Sequence, residues 1–323
     1  MKKVFLSAVA LFAILLVSCS NEEITISAPS TVNVNASGVI SSFIEYNSGE
    51  LEKMDAGEKL RIRALVYNSK GELVAQSVNY YTNYNVQLKM TEFLSPGQYT
   101  VIGISDVVKM SGSTVDNEFW KLSGEQKLSE MKITDQGMIG YQGRILGIGK
   151  GSLSVVESRS NSIDVNLKPA GALIYVFVLN REAFSNRNIT EYTLYANKSS
   201  EAISFNGDGN YSIIESHDTE HIFKIATLSP GTGGTYVFNY ILPMNNVELW
   251  FTCTENESRY TFPTDPKFKT NMAAGEEFEC YLSLNTSVSN IEIVYGKVDL
   301  SQKSGTRAQE WATKWKDRMY FNK

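Results

Sequence analysis

The chain holds two histidines, and they stand four apart in Glu215-Ser216-His217-Asp218-Thr219-Glu220-His221. On a helix that spacing would put both imidazoles on one face beside carboxylates, as zinc sites do. The flanking residues show no helical apolar period, so the segment reads as an acidic, solvated loop and no metal is assigned. Asn206-Gly207-Asp208-Gly209-Asn210 has the polar and glycine content of a calcium loop. One carboxylate and no closing glutamate make it a tight turn instead. Gly147-Ile148-Gly149-Lys150-Gly151 has the glycines and lysine of a phosphate loop. It lacks a hydroxyl residue after the lysine and the upstream glycine, so it reads as a hinge or turn. No Gly-x-Ser-x-Gly elbow occurs, and neither histidine stands at triad spacing from a nucleophile. The expectation is a protein that is not an enzyme, with no cofactor.

The cysteines offer different chemistry. Met1-Lys2-Lys3 precedes an apolar run over residues 4–17, then Ser18 and Cys19. A basic start, an apolar stretch below the ~18–20 residues of a membrane span, and a small residue before the cut describe a secretory signal peptide. Leu16-Val17-Ser18-Cys19 resembles the lipobox of bacterial lipoproteins. That resemblance implies cleavage before Cys19 and a diacylglycerol on its thiol, and two acyl chains suffice for stable membrane attachment. The acidic residues that follow, Ser20-Asn21-Glu22-Glu23, resemble the export signal of Bacteroidota surface lipoproteins. The expected address is therefore the outer membrane, on the cell surface. Cys253 and Cys280 each lie on the apolar phase of an alternating run. They are candidates for a disulfide in a compartment that permits one, or two buried small hydrophobes.

These residues must be carried by strands. The 323 residues lose 18 to the leader, leaving 305, which is long for one domain and comfortable for two. Losing Lys2 and Lys3 leaves 28 basic against 35 acidic residues, a balance with no electrostatic pull on nucleic acid. Seventeen tyrosines and fifteen phenylalanines, with many Val, Ile and Thr, favour strands. Leu60, Ile62, Ala64 and Val66 alternate with Arg61, Arg63 and Leu65, and Asn68-Ser69-Lys70-Gly71 then turns the chain into a hairpin. Further strands are expected over 98–104, 153–156, 163–167, 172–179, 190–196, 211–214, 223–226, 236–242, 247–254, 260–262, 278–284 and 291–295. Many short strands with regular turns mean an all-β sandwich or barrel. Residues 118–131 have room for a short helix. Trp311, Trp315 and Met319 make one apolar stripe on a C-terminal helix.

One internal echo supports a duplication. Phe93-Leu94-Ser95-Pro96-Gly97 recurs as Thr227-Leu228-Ser229-Pro230-Gly231, 134 residues on, near half the mature chain. The reading divides the chain into a signal peptide (1–18), a lipidated linker (19–29), an N-terminal sandwich (30–168), a C-terminal sandwich (169–300) and a tail (301–323).

The lipobox, the run Arg63-Ala-Leu-Val-Tyr-Asn-Ser-Lys-Gly-Glu-Leu-Val74, the run Leu94-Ser-Pro-Gly-Gln-Tyr-Thr-Val-Ile-Gly103 and Val165-Asn-Leu-Lys-Pro-Ala-Gly-Ala-Leu-Ile-Tyr-Val176 together resemble the fimbrillin-like and fimbrial-anchor (FimB-type) lipoproteins of Bacteroidota. The resemblance implies two tandem Greek-key, transthyretin-like sandwiches, a role in building or anchoring fimbriae, and other fimbrial subunits as partners through strand addition. Shaft subunits of that family carry an arginine cut site ahead of the first strand. No arginine lies between Cys19 and Arg61 here, which favours an anchor or accessory subunit. The alternative is a glycan-binding lipoprotein of a polysaccharide-uptake system. Its sugar-stacking aromatics would be Trp120, Trp250, Tyr80, Tyr81 and Tyr84.

Overall fold

The computed structural model describes residues 30–37, 56–83, 86–136, 145–157, 159–178, 189–215, 223–228, 236–255, 258–262, 268–285 and 290–297. Cys19, the two histidines, Tyr84 and the C-terminal stripe lie outside them. Nearly everything described is strand. In the first half these are β1 (Ser30–Ser37), β2 (Glu58–Tyr67), β3 (Leu73–Tyr81), β4 (Gln87–Leu94), β5 (Gly97–Ser111), β6 (Thr114–Glu118), β7 (Trp120–Ser123), β8 (Lys132–Asp135), β9 (Gly147–Val155) and β10 (Asn161–Asn166). After the short β11 (Lys168–Pro169) come β12 (Ala172–Val178), β13 (Ile189–Ala196), β14 (Ser200–Phe205), β15 (Tyr211–Glu215), β16 (Phe223–Leu228) and β17 (Tyr236–Ile241). The chain continues through β18 (Met244–Glu255), β19 (Ser258–Phe262), β20 (Phe268–Met272), β21 (Glu277–Asn285) and β22 (Asn290–Lys297). The helix expected within 118–131 is reduced to one 3-10 turn, Leu128–Glu130.

The first half is layered. A three-stranded sheet, ordered β10-β1-β4, lies on a larger one ordered β11-β9-β5-β2-β3, with β6 added to β5. Close approach of the two depends on glycines. Gly149 sits opposite Gly103 across the β9–β5 pairing, and Gly151 shares their face two residues on. A Cβ at Gly149 would lie 2.6 Å from the Asn166 carbonyl oxygen, and one at Gly151 would lie 2.4 Å from Ile163 Cδ1. The glycine-rich 147–151 segment is therefore strand, not the expected hinge or turn, and its glycines leave room for β10.

The opposite face of the large sheet is also covered. Arg61, Arg63 and Leu65 are 4%, 8% and 1% exposed, although they alternate with the core phase Leu60, Ile62, Ala64 and Val66. Over them lies a third sheet, ordered β15-β14-β8-β7. Half of its strands come from each half of the chain. Ile203 of β14 pairs with Ile133 of β8, and the Phe205 N–H donates to the Met131 carbonyl at 3.1 Å. The turn between β14 and β15 matches its sequence. Asn206 Oδ1 accepts from the N–H groups of Asp208 and Asn210, and Gly209 takes a φ of 76°. Gly209 lies against Thr100, Ile102 and Leu128, and Lys150 Nζ donates to Asn210 Oδ1 at 3.1 Å.

Tyr240 of β17 closes the junction. It is buried, its hydroxyl accepts from the Gly171 N–H and donates to the Leu146 carbonyl, and its ring meets Trp120 edge-on at 6.2 Å. Ile203, Phe205, Leu173, Tyr240 and Leu242 consequently belong to the same buried cluster as the first half's core. Full burial of each such apolar side chain stabilises by about 1.5–3 kcal/mol. The rest of the second half forms two further sheets, β17-β12-β21-β22 and β16-β13-β18-β19, with β20 on β18. Among the described residues each half contains one parallel pair, β1 with β10 and β12 with β21. The two Leu-Ser-Pro-Gly runs begin at like places in the strand order. One follows β4 and leads to β5 on the facing sheet; the other follows β16 and precedes β17, again on different sheets.

Candidate functional site

The strand that the linker from Cys19 runs into is β1. Its sequence, Ser-Thr-Val-Asn-Val-Asn-Ala-Ser, alternates, and Val32, Val34 and Ala36 are fully buried. It occupies the centre of its sheet, antiparallel to β4 over all eight residues and parallel to β10 from Val32 to Ser37. Side chains on its outer face tie it to both neighbours. Thr91 Oγ1 donates to Asn33 Oδ1 at 2.9 Å, and Asn35 Nδ2 donates to Asp164 Oδ1 at 2.8 Å. Ser30 Oγ donates to the Val156 carbonyl and Leu167 N–H to the Ser37 carbonyl. Without β1, two strand edges and an apolar groove between them would be open, a ready acceptor for another strand.

The first arginines after β1 are sealed away. Arg61 makes a bidentate pair with Asp106, Nε to Oδ1 at 2.9 Å and Nη2 to Oδ2 at 2.5 Å, and its Nη1 donates to Glu118 Oε2 at 2.9 Å. Its Nη2 also reaches the Trp120 carbonyl at 3.4 Å. Burial pulls the Arg61 guanidinium down, but the hydrogen bonds and charges of Asp106 and Glu118 outweigh it and hold it above its usual range. Arg63 approaches Glu118 Oε2 at 3.6 Å, and burial lowers it despite the Asp106 charge. Two guanidinium groups thus face two carboxylates under the third sheet. A geometry of this kind fixes β6 and β7 on β2 and β5, and it is a structural lock rather than a reactive site. Sequence reasoning did not find it, because its members are 45 and 57 residues apart.

Among the described residues, the aromatics considered for sugar stacking do not form an exposed cluster. Trp120 is 2% exposed and packed on Tyr240, which corrects its reading as a surface aromatic. Trp250 is half-buried and stacked on Tyr195 at 5.9 Å. Tyr81 is half-buried, with its hydroxyl on the Gln87 carbonyl, and Tyr80 is exposed at the sheet edge. Cys253 is buried in β18, whereas Cys280 lies in β21 on the other sheet of the second half, with its side chain outside the description. Among the described residues no cluster of His, Cys, Asp and Glu could hold a metal ion. No helix among them is long and apolar enough to cross a membrane.

Among the described residues, two edge strands of the first half carry exposed apolar side chains. β4 carries Phe93, 70% exposed, and β3 carries the exposed Val74, Val78 and Tyr80.

Comparison with known proteins gives one sequence-level match. The model of the family described as Fimbrillin-A associated anchor proteins Mfa1 and Mfa2 matches residues 52–300. No curated protein matches the chain. Among solved structures, the chain is similar to the fimbrial anchor protein Mfa2 from Porphyromonas gingivalis, at 12% identity and TM-score 0.48, covering 83% of this chain and 97% of that one. It is also similar to the C-terminally truncated tip fimbrial protein Mfa3 from the same organism, at 12% identity and TM-score 0.44, covering 84% and 99%. A third is a Bacteroides thetaiotaomicron protein suggested to bind polysaccharide, at 10% identity and TM-score 0.46, covering 85% and 100%. The family match, rather than these distant likenesses, carries the weight.

Proposed function

The chain belongs to the family of Fimbrillin-A associated anchor proteins Mfa1 and Mfa2, and from that premise we propose that it is a lipid-anchored outer-membrane protein that anchors or assembles fimbriae at the cell surface. Its work is mechanical, not enzymatic. Cys19 supplies the membrane attachment, and the first sandwich and its sheet edges supply contacts to other fimbrial subunits. Two sandwiches, with a boundary near residue 168, are the units of that assembly.

The observation that supports the anchor role most is the seating of β1. The strand nearest the proposed lipid fills the centre of its sheet, with Val32, Val34 and Ala36 fully buried. No arginine precedes it after Cys19, and the first two that follow it are buried in an ion cluster. An arginine-specific protease thus has no accessible arginine next to β1 among the described residues. A chain that keeps β1 keeps its covalent path from the folded sandwich to the lipid. The sandwich can then hold a neighbour while the thioether holds the membrane. Glycan binding is the weaker reading, since Trp120 is buried and Trp250 lies half-buried against Tyr195.

The test is affinity capture of the full-length protein from solubilised membranes, followed by identification of what co-purifies. Fimbrial subunits in the eluate support the proposal. An eluate holding only polysaccharide-uptake components would overturn it.

A further inference from the structure

Phe93 is 70% exposed, the most of any large apolar side chain among the described residues. It projects from β4 on the outer face of the small sheet, in the phase opposite the buried Met90 and Leu94. It stands opposite Thr31, the second residue of β1. Val156, the next most exposed at 46%, lies on the other flank of the same strand end. Its carbonyl accepts from Ser30 Oγ at 3.1 Å, and its N–H donates to Oδ1 of Asn161, the residue opposite Val32. The two side chains therefore bracket the first residues of β1, one on the β4 side and one on the β10 side. Thr31, Thr91 and the turn Ser95-Pro96-Gly97 bring no charge to this corner. Glu92 is half-buried beside it, and Glu157 and Arg159 of the β9–β10 turn have opposite signs.

The chain from Cys19 enters the fold at this corner. Residues 19–29, eleven in all, lead to Ser30. They span at most roughly 40 Å, so a lipid on Cys19 holds the corner within that distance of the bilayer. The opposite end of the sandwich is held less closely. β5 starts at the same corner, where Gly97 pairs with Val155, and runs 15 residues to Ser111. At about 3.3 Å per residue its far turn lies about 45 Å away. Two side chains are too little surface for a protein partner, which needs about 1,000 Å² of buried area for a stable joint. A lipid surface sets no such threshold, because attachment grows with whatever apolar area is buried. Tethering also raises the effective concentration, so a contact too weak to capture a free protein can orient an anchored one.

We propose that the corner bearing Phe93 and Val156 is a membrane-contact site, which rests on the lipid surface that holds the Cys19 anchor. Both side chains enter the boundary between headgroups and acyl chains. The first sandwich is thereby oriented, with the turn between β5 and β6 directed away from the bilayer. The inference rests on the lipidation of Cys19 and goes beyond it by naming the face turned to the membrane.

The chain from Cys19 onward, carrying Cys280→Ser, can be coupled through Cys19 to a maleimide-headgroup lipid in phosphatidylcholine vesicles with brominated acyl chains; Cys253 is buried and does not compete. Bromine quenches tryptophan only at close range. Ser95→Trp places a reporter in the corner without touching Phe93 or Val156, and Ser113→Trp places one in the exposed turn between β5 and β6. Emission is read as the difference from the parent, whose four tryptophans are common to every chain. The expected result is quenching of the Ser95→Trp signal and none of the Ser113→Trp signal. Adding Phe93→Asp and Val156→Asp should abolish the quenching, while circular dichroism shows the fold retained. Equal quenching at both reporters, none at either, or quenching indifferent to the paired aspartates would each overturn the proposal. The vesicle assay supplies its own anchor, so the lipidation reading is tested separately by the mass of the Cys19 peptide from the native cell. A peptide without acyl chains would overturn that reading, and with it this orientation in the cell, whatever the vesicles show.

Discussion

Tyr240→Phe tests the junction between the two halves by changing one oxygen atom. In the parent chain the Tyr240 hydroxyl accepts from the Gly171 N–H and donates to the Leu146 carbonyl at 2.7 Å. The Leu146 carbonyl keeps a second donor in the variant, the Ala170 N–H at 2.9 Å, whereas the Gly171 N–H loses its partner. A buried donor left unsatisfied costs about 1–3 kcal/mol, and that is the expected loss near neutral pH. Alkali adds a second, independent signature. Burial pushes the Tyr240 phenol up from its ordinary value, and Tyr67 is pushed up in the same way. The folded-state value lies above the unfolded one, so this contribution to stability is whole below pH about 10 and falls as pH rises toward the folded value. Each buried phenol costs up to about 1.4 kcal/mol per pH unit over that window. Tyr240→Phe removes one of the two, and all other groups cancel in the difference between variant and parent. Urea unfolding at pH 8, 10 and 11, followed by circular dichroism, should therefore show the variant weaker at pH 8 and the gap shrinking by about 1 kcal/mol from pH 10 to 11. A gap that stays constant through pH 11 would mean that Tyr240 ionises as an exposed phenol, and would refute a closed junction.

Three further outcomes follow from the same geometry. Arg61→Met leaves Asp106 buried and unpaired and should cost about 3–5 kcal/mol in urea unfolding, with much of it restored by adding Asp106→Leu. Gly149→Ala drives a Cβ to 2.6 Å from a backbone oxygen and should lower stability by about 1–3 kcal/mol, while Gly207→Ala, with nothing within 4 Å, should be near neutral in the same melt. Phe205→Ala empties part of the core shared across the third sheet and should cost about 3–5 kcal/mol; because that core is continuous, calorimetry should show both halves losing stability together, and two transitions of which only one shifts would contradict it.

Much of the strand content was legible because alternation and turn residues are local signals. The hairpin of β2 and β3 with its Asn68–Gly71 turn is an example, and so is the Asn206–Asn210 turn. β14 escaped because Ser-Glu-Ala-Ile-Ser-Phe has no clean period two. The ion cluster and the third sheet escaped for a different reason. Alternation says that two faces differ, not that the polar face meets water. Arg61 and Arg63 alternate correctly and are nonetheless buried, because strands distant in sequence, β7 and β8 among them, fold over them. Leu65 on the same face was the local hint. The glycines of β9 were legible in principle, since Gly147, Gly149 and Gly151 recur every second residue and so share one face. That period belongs to a strand approached closely by another backbone, not to a turn. Trp120 was misplaced because its burial depends on Tyr240, which is 120 residues away.

The central claim is that the folded sandwiches stay attached to the membrane through Cys19 and hold fimbrial subunits there. Its most direct test is to compare the parent chain with Cys19→Ala in the native cell, measuring the membrane-bound fraction of the protein and the fimbrial subunits captured with it. The account predicts that the parent is membrane-bound with fimbrial subunits attached, and that Cys19→Ala is released and takes surface fibres from the membrane with it. Normal membrane-bound fibre levels in the Cys19→Ala strain would contradict it.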